Sequence, residues 1–255
     1  MTELLTKLKQ LIDECSDEER KSILEYVKSR LPLHPLEREW GVGADIILSA
    51  ISRSSDLTKR GVRGIIAEAI FEKNVLMRLR QWEAVTFTGN SAFDFLIRSK
   101  SQKDRTVRIQ VKLQRMERQR PMLAPKSRFP GQDMYVVELQ KTRGGINVQT
   151  KEQTRPYRFG DFDILAVNMH PSTGDWGSFL FTPANWLLPR ADNAALIAIF
   201  QPVPARANDV WTSRLEQCLE WIASGETKRI YPATAGGSSG QRRSAKTGRR
   251  GKGTR

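Results

Sequence analysis

Four residues have the types and the spacing that suit cation-assisted cleavage of a phosphodiester. Asp94 lies within the apolar run SAFDFLI, and Gln110 and Lys112 alternate with apolar residues in the run IQVKL. Successive side chains of a β-strand point to opposite faces, so Gln110 and Lys112 share one face. If these two strands pair, Asp94 joins them there, and Glu68 on the preceding helix supplies a second carboxylate.

The chemistry follows from the oxygen atoms in this group. Mg²⁺ binds carboxylates, neutral carbonyl oxygens and waters. We therefore predict Asp94 as the anchoring ligand, with the side-chain carbonyl of Gln110, the backbone carbonyl of Val111 and the carboxylate of Glu68 completing the protein's share. Lys112 would lie beside the attacking water or the scissile phosphate and stabilise the charge that develops there.

Each of these candidates also has a purely structural interpretation. Asp94 could form a surface ion pair with Arg98 or Arg108, and Lys112 could extend outward from an exposed sheet face. Glu68 could lie on a solvated face of its helix. These alternatives stay open at the level of sequence.

The pattern resembles the PD-(D/E)XK nuclease superfamily, above all its type II restriction endonucleases. Asp94 is followed after fifteen residues by Gln110-x-Lys112, behind a helix that carries Glu68. Phe93 stands where the motif has proline, and Gln110 stands where a second carboxylate is usual, which leaves one-metal and two-metal chemistry both open. The resemblance covers about residues 62–169. It implies Mg²⁺-dependent cleavage of double-stranded DNA at a short specific sequence, and a cognate DNA methyltransferase as a possible partner.

Positive charge is concentrated in the same part of the chain. The 255 residues carry a net charge of +14, and residues 98–158 hold sixteen basic and five acidic residues. Such a focused basic segment is typical of proteins that bind nucleic acid, although a solvated surface would look similar. The residues predicted to contact DNA are Arg115, Arg118, Arg120, Lys126, Arg128, Gln140, Lys141, Arg143 and Arg155.

The periodicity predicts an α/β protein with a mixed central sheet flanked by helices, in a restriction-endonuclease-like arrangement. We expect an N-terminal helical hairpin (1–35) with a capping box at Ser16 and Glu19, a nuclease domain (36–232) and a disordered basic tail (233–255). Further helices are predicted at 45–51, 62–80 and 209–224, with a polar break over 53–60. Strands are predicted at 84–88, 93–98, 107–113, 135–140, 164–169 and 179–182, the first three as an antiparallel meander.

The rest of the composition narrows the class of protein. Two cysteines and two histidines are too few for structural zinc or a disulfide scaffold, and no apolar run is long enough to span a membrane. We therefore expect a cytoplasmic protein without a membrane segment. Recognition of a palindromic site would require a homodimer. Two other functions fit the same residues: a DNA-binding protein without catalysis, and a PD-(D/E)XK-like repair nuclease.

Overall fold

The computed structural model describes residues 2–30, 34–89, 91–124, 134–141 and 156–230. Its contacts divide the chain into two compact units, Met1–Arg63 and Gly64–Arg255, whereas the sequence predicts a boundary after residue 35. The tail predicted to be disordered, residues 233–255, lies outside the described residues.

The N-terminal unit is helical. Ser16 and Glu19 form the predicted capping box, because the Ser16 hydroxyl accepts from the Glu19 N–H at 3.3 Å and the Glu19 carboxylate accepts from the Ser16 N–H at 2.8 Å. The polar break predicted over 53–60 is wrong: Ser55 caps a new helix by accepting from the Thr58 N–H, so that helix begins at Asp56. The helices are α1 (Glu3–Glu14), α2 (Asp17–Arg30), α3 (Pro35–Trp40), α4 (Ala44–Arg53) and α5 (Asp56–Asn74), which continues into the second unit.

The C-terminal unit is built on a five-stranded mixed sheet. All six predicted strands are present within a few residues of their predicted bounds. The strands of this unit, in the main sheet and outside it, are β1 (Trp82–Val85), β2 (Phe95–Ser99), β3 (Thr106–Leu113), β4 (Met116–Glu117), β5 (Arg120–Pro121), β6 (Met134–Glu138), β7 (Ile164–Asn168), β8 (Phe179–Pro183) and β9 (Phe200–Pro204). After α5, its α-helices are α6 (His170–Thr173) and α7 (Leu215–Ala223).

The main sheet has the order β1-β2-β3-β7-β8. Its first three strands form the predicted antiparallel meander, β3 pairs with β7 in parallel, and β8 is antiparallel to β7. The sequence did not predict β4 and β5, which have two residues each, or β9, which pairs with β6. Prolines at alternate positions of β9 argue against a strand unless it lies at an edge.

The last helix starts later than predicted. Asn208 accepts from the backbone N–H groups of Val210 and Trp211, and Thr212 exchanges backbone hydrogen bonds with Phe181 of β8. These contacts hold residues 208–212 in a turn and a bridge, and the helix α7 therefore begins only at Leu215.

The two faces of the main sheet bury different clusters. On one face, Ile109 and Val111 pack with Phe71 of α5 and Leu219 of α7. On the other, Leu165 and Val167 of β7 pack with Val137 of β6 and with Trp186, among others. Strict alternation on β3 therefore turns Gln110 and Lys112 toward the second face, opposite to Ile109 and Val111.

Candidate active site

The pairing of β2 with β3 brings Asp94 to Gln110. The register places Phe95 opposite Ile109, and the Asp94 N–H donates to the Ile109 carbonyl at 3.0 Å. Asp94 directly precedes β2 rather than interrupting it. Its carboxylate accepts from the backbone N–H of Val111 at 2.8 Å, which fixes the side chain beside the predicted ligands.

Gln110 connects the other two oxygen-bearing groups. It is buried, at 1% exposure, and its side-chain nitrogen donates to the Asp94 carboxylate and to the Val111 carbonyl. The Asp94 oxygen and the Val111 oxygen therefore lie around one point, which the amide nitrogen occupies. Rotation of that amide would exchange its nitrogen for its carbonyl oxygen and so leave three oxygen atoms next to one another.

Lys112 lies on the same face of β3, two residues further along. Burial lowers the pKa of its ammonium group, and the negative charges of Asp94 and Glu68 oppose this shift. Its Nζ atom lies 5.6 Å from the centre of the Tyr157 ring. The cation is thus held in a poorly solvated place, facing an aromatic ring and sharing a field with two carboxylates.

Burial has the opposite effect on the pKa values of the two carboxyl groups. Burial raises the pKa of Glu68 to about 7, the charge of Asp94 adds to this rise, and Lys112 partly reverses it. Burial also raises the pKa of Asp94, against the lowering effects of Lys112 and of the Val111 N–H. The structure therefore brings Asp94, Gln110, Val111 and Lys112 together, with Glu68 inside their electrostatic field.

The sequence-based ion-pair alternatives for Asp94 are wrong. Arg98 binds Glu83 at 2.9 Å, and Arg108 binds Asp163 at 2.8 Å. Asp163 also accepts from the backbone N–H of Arg108, which ties the start of β7 to β3. Both arginines are thus used to hold the sheet together.

Sequence reasoning missed two buried polar residues, one facing Lys112 and one further along the same face of the chain at β3. Tyr157, 3% exposed, has its ring centre 5.3 Å from the Lys141 Nζ atom as well as facing Lys112. Burial raises the pKa of its hydroxyl, and the charges of Asp94, Asp161 and Glu68 raise it further. No sequence signal marks Tyr157, because its neighbours come from distant segments.

Gln114 is the second residue that was missed. It follows Gln110 and Lys112 on the same face, it is buried, and neither polar atom of its amide has a hydrogen-bond partner among the described residues. Buried amides without partners are rare in proteins. The continued alternation Gln-x-Lys-x-Gln could have identified this residue from the sequence.

The predicted DNA-binding residues divide into three groups. Arg118 and Arg120 are exposed. Arg115 pairs with Glu138, Lys141 pairs with Asp161 at 2.9 Å, and half-buried Gln140 bridges to Pro156. The remaining four, Lys126, Arg128, Arg143 and Arg155, lie outside the described residues.

A divalent cation fits the donor chemistry of this site. Asp94 and Glu68 supply two negative charges, and Gln110 and Val111 supply neutral oxygens, which is a set that Mg²⁺ accepts. In the described part of the chain, His, Cys, Asp and Glu side chains form no group of three or more that could hold a metal ion. A cation here therefore depends on the amide and backbone oxygens as well as on carboxylates.

Comparison with known proteins adds no relative: no family model, no curated protein and no solved structure matches this chain. Among the described residues, no helix is both long enough and apolar enough to cross a membrane.

Proposed function

We propose that this protein is a Mg²⁺-dependent endonuclease of the PD-(D/E)XK type that cleaves double-stranded DNA at a short specific sequence. One observation carries the proposal: Asp94, Gln110 and the Val111 carbonyl converge within the electrostatic field of Lys112 and Glu68. The basic segment 98–158 contains three of these five residues and supplies the attraction for a polyanion.

The residues of the site would divide the work of hydrolysis. Asp94, Glu68, Gln110 and Val111 would hold Mg²⁺, which polarises the phosphate and activates a water molecule. Lys112, held against the Tyr157 ring, would place its positive charge beside the phosphate. Because this ammonium group is poorly solvated, its attraction for the extra negative charge of the transition state is stronger than it would be in water.

A second candidate is a DNA-binding protein without catalysis. The specific observation that favours it is the hydrogen bond from the Gln110 amide to the Asp94 carboxylate. That contact satisfies Asp94 without any cation. A site that had lost its metal during evolution would retain such an arrangement.

Incubation with unmethylated DNA of the size of a phage genome distinguishes the endonuclease from the DNA-binding protein. The purified protein is incubated with this DNA and Mg²⁺, with EDTA as the control. Discrete bands that vanish with EDTA would establish the proposal. A smear would keep the nuclease and remove sequence specificity, which favours a repair-type enzyme. Intact DNA of altered mobility, with or without EDTA, would favour the binding protein.

If the cleavage products form discrete bands, two binding or functional partners are expected: a second copy of this chain and a DNA methyltransferase. A palindromic site implies a homodimer, which sedimentation of the DNA-free protein would detect. A restriction-type activity also implies a cognate DNA methyltransferase that protects the host's own sites. DNA methylated at the mapped site should then resist cleavage.

A further inference from the structure

The short hairpin formed by β4 and β5 has an unusual turn. Its two central residues are Arg118 and Gln119, with φ angles of 47° and 62°. A two-residue turn with both φ angles positive has the type I′ geometry, which Asn-Gly adopts most readily. Arg and Gln have a Cβ atom that makes this region unfavourable. The turn therefore carries long polar side chains at the cost of backbone strain.

The base of the hairpin is fixed to the body of the unit. The Arg115 N–H donates to the Val136 carbonyl at 2.8 Å, and the Met122 N–H donates to the Arg115 carbonyl at 2.8 Å. The Val136 N–H in turn donates to the Met122 carbonyl at 3.0 Å. Arg115 also pairs with Glu138 of β6. A strained tip on an anchored base is the arrangement expected of a rigid recognition element.

The tip itself is open to solvent. Residues 117–120 are all exposed, and they read Glu-Arg-Gln-Arg. Of these side chains, arginine can form paired hydrogen bonds with guanine and glutamine can do so with adenine. The major groove of DNA is wide enough to admit a two-stranded β-ribbon. Shape and chemistry thus agree at this hairpin.

The hairpin also lies close to the candidate active site along the chain. Arg118 follows Lys112 by six residues, which span at most about 20 Å when extended. DNA rises about 3.4 Å per base pair. The tip therefore reaches bases within roughly six base pairs of a phosphate held beside Lys112.

We propose that the β4–β5 hairpin reads base sequence in the major groove, through Arg118, Gln119 and Arg120. This rests on the proposed function in one respect, that duplex DNA is the ligand. The hairpin assignment goes beyond the proposed function, because it assigns these residues to base edges rather than to phosphates and includes Gln119.

The test compares the DNA sequence preference of the wild type with that of a variant whose turn residues suit the turn better. The double variant Arg118→Asn, Gln119→Gly has the most favourable type I′ residues, and its thermal stability should equal or exceed that of the wild type. Bound duplexes are selected from a randomised pool in EDTA, and the preference at each base pair is read by sequencing. Lys103→Ala, which removes an exposed lysine paired with Glu83, is the matched control.

We expect the wild type and Lys103→Ala to select the same bases. The double variant should lose preference by about tenfold or more at one or two base pairs. Uniformly weaker binding with the wild-type preference retained would show phosphate contacts only and overturn the assignment, as would a wild type that selects no sequence.

The outcome is separable from that of the nuclease proposal. Selection in EDTA needs no cleavage, so a wild type that selects a sequence yet never cuts with Mg²⁺ would overturn the nuclease and leave the hairpin standing. Specific cleavage that the double variant performs at the same sites with unchanged preference would overturn the hairpin and leave the nuclease.

Discussion

The opposite ends of the β2–β3 pair place acidic residues in contrasting surroundings. At one end, Glu83 accepts from Arg98 and from Lys103, in contact with solvent, and these hydrogen bonds lower the pKa of its carboxyl. At the other end, burial raises the pKa of Glu68 and Asp94. In the part of the chain that the structure describes, neither of these two carboxylates has a direct ion-pair partner.

This difference separates a structural end of the sheet from a candidate site. Charges that are paired and exposed to solvent contribute little to the stability of the fold, so their substitution has a small effect. Carboxylates that are held in a poorly solvated place without a direct ion pair destabilise the fold, and such an arrangement is typical of groups that bind a ligand or take part in catalysis. The contrast therefore supports the assignment of Asp94 and Glu68 to the site, and variants at the two ends can test it.

The largest effect should come from removing charges at the buried end. Asp94→Asn and Lys112→Ala should each lower the rate of Mg²⁺-dependent DNA cleavage by about 10³-fold or more, because each removes a charge that, in the proposed mechanism, contacts the cation or the phosphate. DNA binding in EDTA should remain. Cleavage is measured on a mapped duplex by gel.

The controls for these two variants are Asp104→Asn and Lys103→Ala, which make matched changes at exposed positions near the other end. They should cleave within about twofold of the wild type. Full cleavage by either Asp94→Asn or Lys112→Ala would remove that residue from the site.

Gln110→Glu should sharpen the contrast by adding a third carboxylate to the buried end. The variant replaces a hydrogen bond to Asp94 with a like-charge contact, so the free energy of unfolding without metal should fall by about 1–3 kcal/mol. Mg²⁺ should then raise the Tm more than in the wild type, because binding relieves the repulsion. Thermal melts with Mg²⁺ and with EDTA measure both effects. A Tm that ignores Mg²⁺ would argue for the binding protein instead.

Glu68→Gln should separate stability from activity. The carboxyl has its pKa raised from 4.5 to about 7 in the fold, so its contribution to stability falls as pH rises from about 4.5 to 7 and stays low above that. At pH 8 without metal, the variant should be more stable by about 1–2 kcal/mol, once partial solvation is allowed for.

The same variant should show two further changes. At pH 4 its stability should be close to that of the wild type, because Glu68 is then mostly protonated in both the folded and the unfolded protein. Its cleavage should be severely reduced, while wild-type cleavage should fall at acidic pH, where protons compete with Mg²⁺ for the Glu68 carboxylate. Urea unfolding at the two pH values checks the first point. A variant less stable than the wild type at pH 8 would contradict the burial effect.

The smallest effect belongs to the exposed end. Glu83→Gln removes two solvated ion pairs, and we expect a slight drop in Tm at low salt that disappears in 1 M NaCl, where such pairs are screened. Cleavage should be unchanged. A large loss of stability or of activity would mean that the exposed end is not merely structural and that the two ends do not differ.

Much of the site could be predicted because it follows from local pattern. The alternation around Gln110 and Lys112 gave the shared face, and the short turns gave the pairing that brings Asp94 to Gln110. The same rules missed β9 because prolines interrupt its pattern, and they began α7 too early because Asn208 binds the backbone of the next residues. In both cases a contact or residue type specific to that place outweighed the periodicity.

Local sequence patterns predict the strand faces, the capping box at Ser16 and the candidate ligands, because side-chain alternation and caps depend on residues only a few positions apart. Which charges are paired, by contrast, depends on the tertiary structure. It used Arg98 and Arg108 to hold the sheet, faced Tyr157 toward Lys112, and buried Glu68 enough to raise its pKa to about 7. Burial and charge depend on how segments far apart in the chain exclude water together, and no local pattern carries that information.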